Sequence, residues 1–371
     1  MRMNVLIWII TAWASVSAQD EKVYSSQDGV RFRVETNVRN LEVPWSIVFD
    51  KQGNMYFTER SGKLSILRKG EKDPKILASI DGVVEQGEGG LMGLALHPEF
   101  EKNRWIYVSF TFRFKEALAN TVVRYTLRND VLEGRTTIIG YLPGSAVHNG
   151  CRIKFGPDGK LYVTAGDAAG RKIAQDVASL GGKILRVNDD GSVPVDNPDR
   201  KSPIFALGVR NPQGIAWHPE KGVMFETEHG PSGFDAPGGG DEVNIIVAGG
   251  NYGWPVIHHK DVKEGMIAPL LEYTPAVAPG GATFYSGKAF PAWKNNFFFG
   301  GLRGTRIQRV VLDEKDPKMV KGEEALLNGE FGRIRDVTEG PDGEIYFSTS
   351  NTSRGRASND DDRILRIVPP K

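Results

Sequence analysis

A single phrase recurs six times along this chain and limits what it can become: an apolar strand, a turn built on Pro, Asp or Gly, and at once a second apolar strand. The copies read IVFDKQGNMYFTE from Ile47, LALHPEFEKNRWIYVSF from Leu94, IKFGPDGKLYVTAGD from Ile153, IAWHPEKGVMFETEHG from Ile215, AFPAWKNNFFFGG from Ala289 and VTEGPDGEIYFSTSN from Val337. A third strand follows most copies, as in LSIL at Leu64, KILRV at Lys183 and RILRI at Arg363. Successive copies start roughly 45 to 75 residues apart, the range of propeller blades with unequal loops. A unit of three or four strands cannot bury both of its faces, so six of them predict radial stacking around an axis. Functional residues then belong where loops from several blades converge at one end of that axis.

Nothing in the composition competes with that reading. Hardly any segment carries a helical period, and strand signals run from Ile47 onward without a linker-like tract. The expectation is one all-β domain spanning residues 19–371. The 44 glycines lack the every-third-position spacing of collagen and fall in turns. With 47 basic and 46 acidic side chains the net charge is +1, and no long like-charge block exists. That argues against nucleic acid or an anionic membrane as partner.

Residues 1–18 are set apart. Arg2 precedes an apolar run from Val5 to Ala14, and Val16-Ser17-Ala18 fits the small-residue cleavage pattern. A secretory leader cut after Ala18 is expected, with an uncleaved N-terminal anchor as the alternative. The apolar run is short for a bilayer span, and no other segment approaches the required length. The expected mature protein is exported, periplasmic or secreted, and not membrane-spanning. Cys151 is the only cysteine, which excludes an intrachain disulfide and a c-type haem attachment within this chain.

The densest polar cluster flanks the third copy. His148 precedes its first strand and Asp167 follows its second, so a tight turn at Pro157-Asp158-Gly159 brings the two together. A carboxylate beside an imidazole fixes its tautomer and makes it a better base; the plainer alternative is a strand-end histidine and a turn-forming aspartate. Arg210-Asn211-Pro212-Gln213 stands just before the fourth copy, and Arg333-Ile334-Arg335-Asp336 just before the sixth. Alternate residues of a strand share a face, so Arg333 and Arg335 offer paired grips for carboxylates, or else a solvated basic edge. Three such clusters at equivalent blade positions imply a funnel on the axis for an anionic ligand. Glu228-His229-Gly230-Pro231, followed by Gly240-Asp241-Glu242, offers carbonyl and carboxylate oxygens suited to calcium, without EF-hand spacing. His258-His259 has no third ligand at a zinc spacing.

Taken in order, VPWSIVF, GEGGLMGLALHPEF, the His148 segment with GPDGKLYVTAGD, GGKILRVNDDGSVPVDNP, GVRNPQGIAWHP, EHGP, GGDEVNIIVAGGNYGWP and RIRDVTEGPDGEIYF resemble the soluble quinoprotein glucose/sorbosone dehydrogenases. These are aldose dehydrogenases that use pyrroloquinoline quinone (PQQ), and the resemblance runs from about Leu41 to the C-terminus. It implies a six-bladed β-propeller of four-stranded antiparallel blades, in line with the six copies. It also implies oxidation of the C1 hydroxyl of an aldose to a lactone, by hydride transfer to the quinone with Ca²⁺ polarising it. By this resemblance His148 is the general base, Asp167 orients it, and Arg210 and Asn211 bond the quinone oxygens. Arg333 and Arg335 hold the cofactor and its carboxylates. Gly230 and Pro231 present carbonyls to the catalytic Ca²⁺, while Glu242 and Tyr252 belong to a structural calcium site.

Two positions depart from the glucose-oxidising branch. Glu88 stands where that branch has a Gln, and Arg303 where it has a cofactor-binding Lys. Glu88 and Gln213 are the expected substrate contacts, and Arg303 an expected cofactor contact. The short segment between Trp254 and Gly280 lacks an aromatic wall, which implies an open cleft and broad aldose acceptance. Electrons would leave through a separate cytochrome, quinone or copper protein, and the enzyme would be a monomer or homodimer. Two other classes remain as alternatives: a propeller that binds carbohydrate or protein without chemistry, and a Ca²⁺-dependent lactonase.

Overall fold

Radial stacking is what the chain adopts. The computed structural model describes residues 22–232, 235–354 and 362–370; the expected leader, residues 1–18, lies outside them. Six antiparallel sheets follow one another, each entered by its innermost strand. Blade 1 comprises Pro44–Phe49, Met55–Glu59, Lys63–Leu67 and Lys75–Ser79, and blade 2 comprises Leu91–Leu96, Trp105–Phe114, Ala117–Arg128 and Val131–Pro143. Blade 3 is built from Gly150–Phe155, Leu161–Ala165, Lys183–Val187 and Ile204–Leu207. Blade 4 uses Pro212–Trp217, Met224–Glu228, Asp241–Ile246 and Leu271–Tyr273, and blade 5 uses Pro279–Phe284, Phe297–Gly301, Arg306–Leu312 and Val320–Leu326.

Blade 6 closes the ring with strands from both ends of the chain. Ile334–Glu339, Ile345–Thr349 and Ile364–Val368 come from the C-terminal part; Arg31–Val38 pairs antiparallel with Ile364–Val368, and Val23–Ser25 adds a fifth strand outside it. The expected four-stranded blade thus holds for five sheets, and the sixth carries one more. The fifth copy needs a correction. The segment from Ala289 contributes a short 3-10 turn at Pro291–Trp293 and then the second strand, while the innermost strand is Pro279–Phe284. Its small, glycine-rich start, PGGATF, hid the strand from a reading based on apolar runs.

The core lies in the seams between blades. Each seam has its own cluster of buried side chains, such as Leu64, Ile106 and Val108 between blades 1 and 2, or Phe225, Phe284 and Phe297 between blades 4 and 5. Both faces of each sheet are therefore covered by its neighbours, which is why the inner strands read as near-continuous apolar runs. Near the axis Trp45, Met92 and Cys151, from the first strands of blades 1, 2 and 3, form a separate small cluster.

One regularity prepares the site. All six innermost strands carry a register shift against their partner within their first four residues, as at Gly150/Ile153, Pro212/Gly214 and Ile334/Asp336. A bulge bends the strand and re-aims its side chains. Repeated six times at one end of the ring, it turns the residues at each strand entry toward the axis.

Candidate active site

A funnel of about 1250 Å³ opens at the end of the axis where the inner strands begin, and Glu88, His148, Arg210, Arg303, Arg333 and Arg335 all line it. A smaller cavity of about 430 Å³ lies between blades 1 and 6, near Lys51, Lys288 and Arg366, and holds none of the expected residues.

His148 enters the funnel with a left-handed backbone, φ 55°, a conformation that costs a non-glycine residue about 1 kcal/mol or more. Three contacts hold it there. Its N–H donates to Glu88 Oε2 at 3.1 Å, and its carbonyl accepts from Ala168 at 3.1 Å. Gly166 packs so tightly beneath it that a Cβ there would sit 1.9 Å from the His148 oxygen. The imidazole Nδ1 lies 2.8 Å from Asp167 Oδ1. That oxygen also accepts the Ala169 N–H at 2.9 Å, and Asp167 Oδ2 accepts from Trp254 Nε1 at 2.8 Å. With Asp167 ionised, Nδ1 carries the proton and Nε2 is the basic nitrogen.

Arg210 is buried and held rigidly. Its Nε donates to Asp235 Oδ2 at 3.0 Å, its Nη1 to the His229 carbonyl at 2.9 Å, and its backbone N–H to Glu228 Oε2 at 2.6 Å. Asp235 also pairs with Arg171. Asn211 Oδ1 accepts from the Gly150 N–H and from Gln213 Nε2, at 3.1 and 3.0 Å, which turns its amide nitrogen toward His229 Nδ1, 3.5 Å away. His229 donates Nε2–H to the Pro279 carbonyl at 2.8 Å. Burial, and then the charges of Arg335 and Arg210, hold His229 well below the usual imidazole range, so it is neutral.

Gln213, expected to face substrate, has its amide engaged at both ends: the nitrogen on Asn211 and the oxygen on Arg335 Nη1 at 3.2 Å. Arg333 Nη1 donates to the Leu302 carbonyl at 3.1 Å. Arg335 is buried, and its Nε has no acceptor among the described residues. Burial first and the neighbouring Arg333 second lower its proton affinity to about 9, with Glu88 pulling the other way. A guanidinium does not give up its proton at working pH. The lowered affinity marks a position where burial and a neighbouring positive charge leave room for an added anion.

Gly230 and Pro231 are buried between His229 and Ser232, both of which line the funnel. The Gly230 N–H donates to Asp241 Oδ1 at 2.8 Å, and Asp241 Oδ2 takes the N–H groups of Val277 and Ala278 at 2.7 and 2.6 Å. That anchors the turn on the entry of blade 5. Glu242 lies opposite Glu228 across the ladder of blade 4, next to the Glu226–Asn244 pair. Burial pushes Glu228 up to about 7, and burial with the Glu228 charge raises Glu226 and Glu242 well above the ordinary carboxylate range. The Tyr252 hydroxyl is engaged elsewhere, donating to the Ile245 carbonyl at 2.6 Å and accepting from the Val247 N–H at 2.9 Å. As placed, no three His, Cys, Asp or Glu side chains of the described residues converge to hold a metal ion.

Sequence reasoning named Glu228 among the oxygens suited to calcium but passed over Asp235, Trp254 and Glu226 as site residues. The two glutamates alternate on a strand, MFETE, whose apolar neighbours read as core. Asp235 and Trp254 sit in loops that fold back over blade 3, and local spacing gives no measure of that.

The axial funnel of this propeller joins a histidine–carboxylate pair to the buried guanidiniums of Arg210 and Arg335, the arrangement of an enzyme site with a place for an anionic group. The chain belongs to the glucose/sorbosone dehydrogenase family, which it matches over residues 41–358, and is accordingly an oxidoreductase. It is 32% identical to the aldose sugar dehydrogenase YliI of Escherichia coli, over 86% of this chain and 90% of that one. Quinoprotein glucose dehydrogenase B of Acinetobacter calcoaceticus is 27% identical over 97% and 93% of the two chains. Among solved structures, the PQQ-bound aldose sugar dehydrogenase of Streptomyces coelicolor superposes with a TM-score of 0.81 at 32% identity, covering 91% of this chain and 98% of that one. No helix among the described residues is long and apolar enough to cross a membrane.

Proposed function

We propose that this chain is an exported quinoprotein that oxidises the C1 hydroxyl of aldoses to lactones, with PQQ as cofactor and Ca²⁺ beside it. The observation that carries the reading is the shared funnel: the His148–Asp167 pair opens onto the same cavity as Arg210, Arg333 and Arg335. PQQ is a planar tricarboxylate, and the buried Arg335 Nε is a donor in want of an acceptor. When bound, the quinone supplies an electrophilic carbonyl carbon to which the C1 hydride can pass, and Ca²⁺ would polarise it.

The chain's own residues do the rest. His148 Nε2 takes the proton of the C1 hydroxyl as the C1 hydride leaves, so the sugar loses two electrons and two hydrogens and becomes the lactone. Asp167 keeps Nδ1–H in place and stabilises the imidazolium that forms. Arg210 and Asn211 would hold the quinone oxygens with donors fixed in advance by Asp235, Gly150 and Gln213. Arg303, Arg333 and Arg335 would grip the carboxylates. The Gly230 and Pro231 carbonyls would hold the catalytic Ca²⁺, and Glu242 with Tyr252 a second, structural one, the latter through its carbonyl since its hydroxyl is engaged. Glu88 has one carboxylate oxygen on the His148 N–H; the other suits a sugar hydroxyl. Gln213 acts by bracing Asn211 and Arg335. A separate cytochrome, quinone or copper protein would reoxidise the cofactor, and loss of residues 1–18 on export would leave one catalytic domain.

The test is reconstitution. Purified apo-protein given PQQ and Ca²⁺ should reduce an artificial dye only when an aldose is present, and exhaustive chelation should abolish this until Ca²⁺ returns. Lactone hydrolysis without quinone would instead make the protein a lactonase. Absence of both activities, with PQQ not taken up, would leave a binding propeller.

A further inference from the structure

Trp254 is a buried side chain at the dyad to which the mechanism above gives no part. Its indole N–H donates to Asp167 Oδ2 at 2.8 Å, the carboxylate oxygen opposite the one that meets His148. The bond is charge-assisted, the stronger kind of hydrogen bond, and its acceptor is fully buried. The same ring lies 5.3 Å from the Arg210 guanidinium carbon and 5.9 Å from that of Arg171, the two arginines that share Asp235. One indole therefore touches both the base pair and the arginine assigned to the quinone oxygens.

Trp254 is itself fixed through its backbone. Its backbone N–H donates to the Gly208 carbonyl at 2.8 Å, and its carbonyl accepts from Gln175 Nε2 at 2.8 Å. Gln175 and Asn251 bond each other through both amides, at 2.9 and 2.8 Å. The loop carrying Trp254 is thus tied to blade 3, which also carries the dyad. A carboxylate held only through Oδ1 can swing about its Cβ–Cγ bond and carry the imidazole plane with it. A rigid donor on Oδ2 removes that freedom, as partners behind a functional side chain do elsewhere.

We propose that Trp254 is a positioning residue, making the dyad a His148–Asp167–Trp254 relay of fixed orientation and setting it in register with Arg210. The inference rests on the reading of His148 as base given above. Trp254→Phe keeps one aromatic ring, and with it part of the face toward Arg210, and removes the donor together with the second ring. It should lower kcat roughly ten- to a hundredfold, the effect of losing one hydrogen bond to a charged group, with KM changed by no more than about twofold. In an Asp167→Asn background the same substitution should change little further, because the bond it removes is already weakened.

A second readout needs neither cofactor nor turnover. In apo-protein labelled with ¹⁵N-tryptophan, one indole N–H signal should lie downfield of the rest, vanish in Trp254→Phe and move upfield in Asp167→Asn. The Asp167→Asn shift can be read even if Trp254→Phe does not fold, and Trp254→His, which keeps a ring N–H, should recover part of the lost turnover. Unaltered kcat in Trp254→Phe, losses that multiply in the double variant, or indole signals indifferent to Asp167→Asn would each overturn the proposal. A wild-type protein that takes up PQQ and oxidises no aldose would instead sink the functional reading, and the indole signals would still report on the bond.

Discussion

His148 shows how much a single residue can demand of its surroundings. Its left-handed backbone, its N–H on Glu88 and its ring on Asp167 all serve one direction of the imidazole. Replacing His148 with Asn should lower kcat by roughly 10²- to 10⁴-fold, the span for losing a positioned base, while PQQ still binds by titration. Full sugar oxidation by that variant would remove His148 from the mechanism. Gly166→Ala tests the backbone instead: its Cβ would lie 1.9 Å from the His148 carbonyl oxygen, so the histidine must move. We expect turnover to fall at least tenfold, since small misplacements at a reacting centre are costly, with His148 still present. Activity equal to wild type would mean the strand end relaxes without moving the ring. The pairing of His148 with Asp167 was legible from the sequence because a short hairpin brings its own ends together. The Glu88 contact was not, because its partner lies on another blade, 60 residues away.

At the scale of elements, the six blade entries each deliver residues to the funnel, from the innermost strand or from the residues just before it, and the bulge at each entry does the aiming. Five of the six copies could be read because their first strands are apolar on both faces, as blades buried on both sides require. The fifth was misplaced because PGGATF is small and glycine-rich where the chain passes close to its neighbours: a Cβ on Gly281 would collide with Asp336. Closure of the ring was also hidden, since pairing of Arg31–Val38 with Ile364–Val368 joins segments more than 300 residues apart. That joint should govern global stability. Phe32 is almost wholly buried there, stacked on Tyr24 at 5.6 Å and edge-on to Trp293 at 5.6 Å. Phe32→Ala should cost about 3 to 5 kcal/mol, measured by denaturant unfolding. A loss below about 1 kcal/mol would show that the ring holds without this joint.

Over the whole molecule the charges nearly cancel, at 47 basic and 46 acidic residues, yet the funnel concentrates guanidiniums. Arg335 is buried beside Arg333, its proton affinity is lowered to about 9, and its Nε is left without an acceptor among the described residues. Such an arrangement is unfavourable in the empty protein and favourable once an anion arrives, so stability and function pull in opposite directions at this position. Arg335→Met separates the two, because it keeps most of the volume and removes the charge. In the apo-protein it should raise stability by about 1 kcal/mol or more, as hydrophobic replacement of poorly compensated buried charge often does. In titrations with PQQ the same variant should bind tenfold or more weakly, since a charge-assisted contact is worth about 1.5 to 3 kcal/mol. Arg335→Lys should fall between, keeping the charge and losing the planar fork. A less stable apo-protein with unchanged PQQ affinity would mean that Arg335 is a structural ion after all, compensated within the fold, and that the cofactor's carboxylates are held elsewhere.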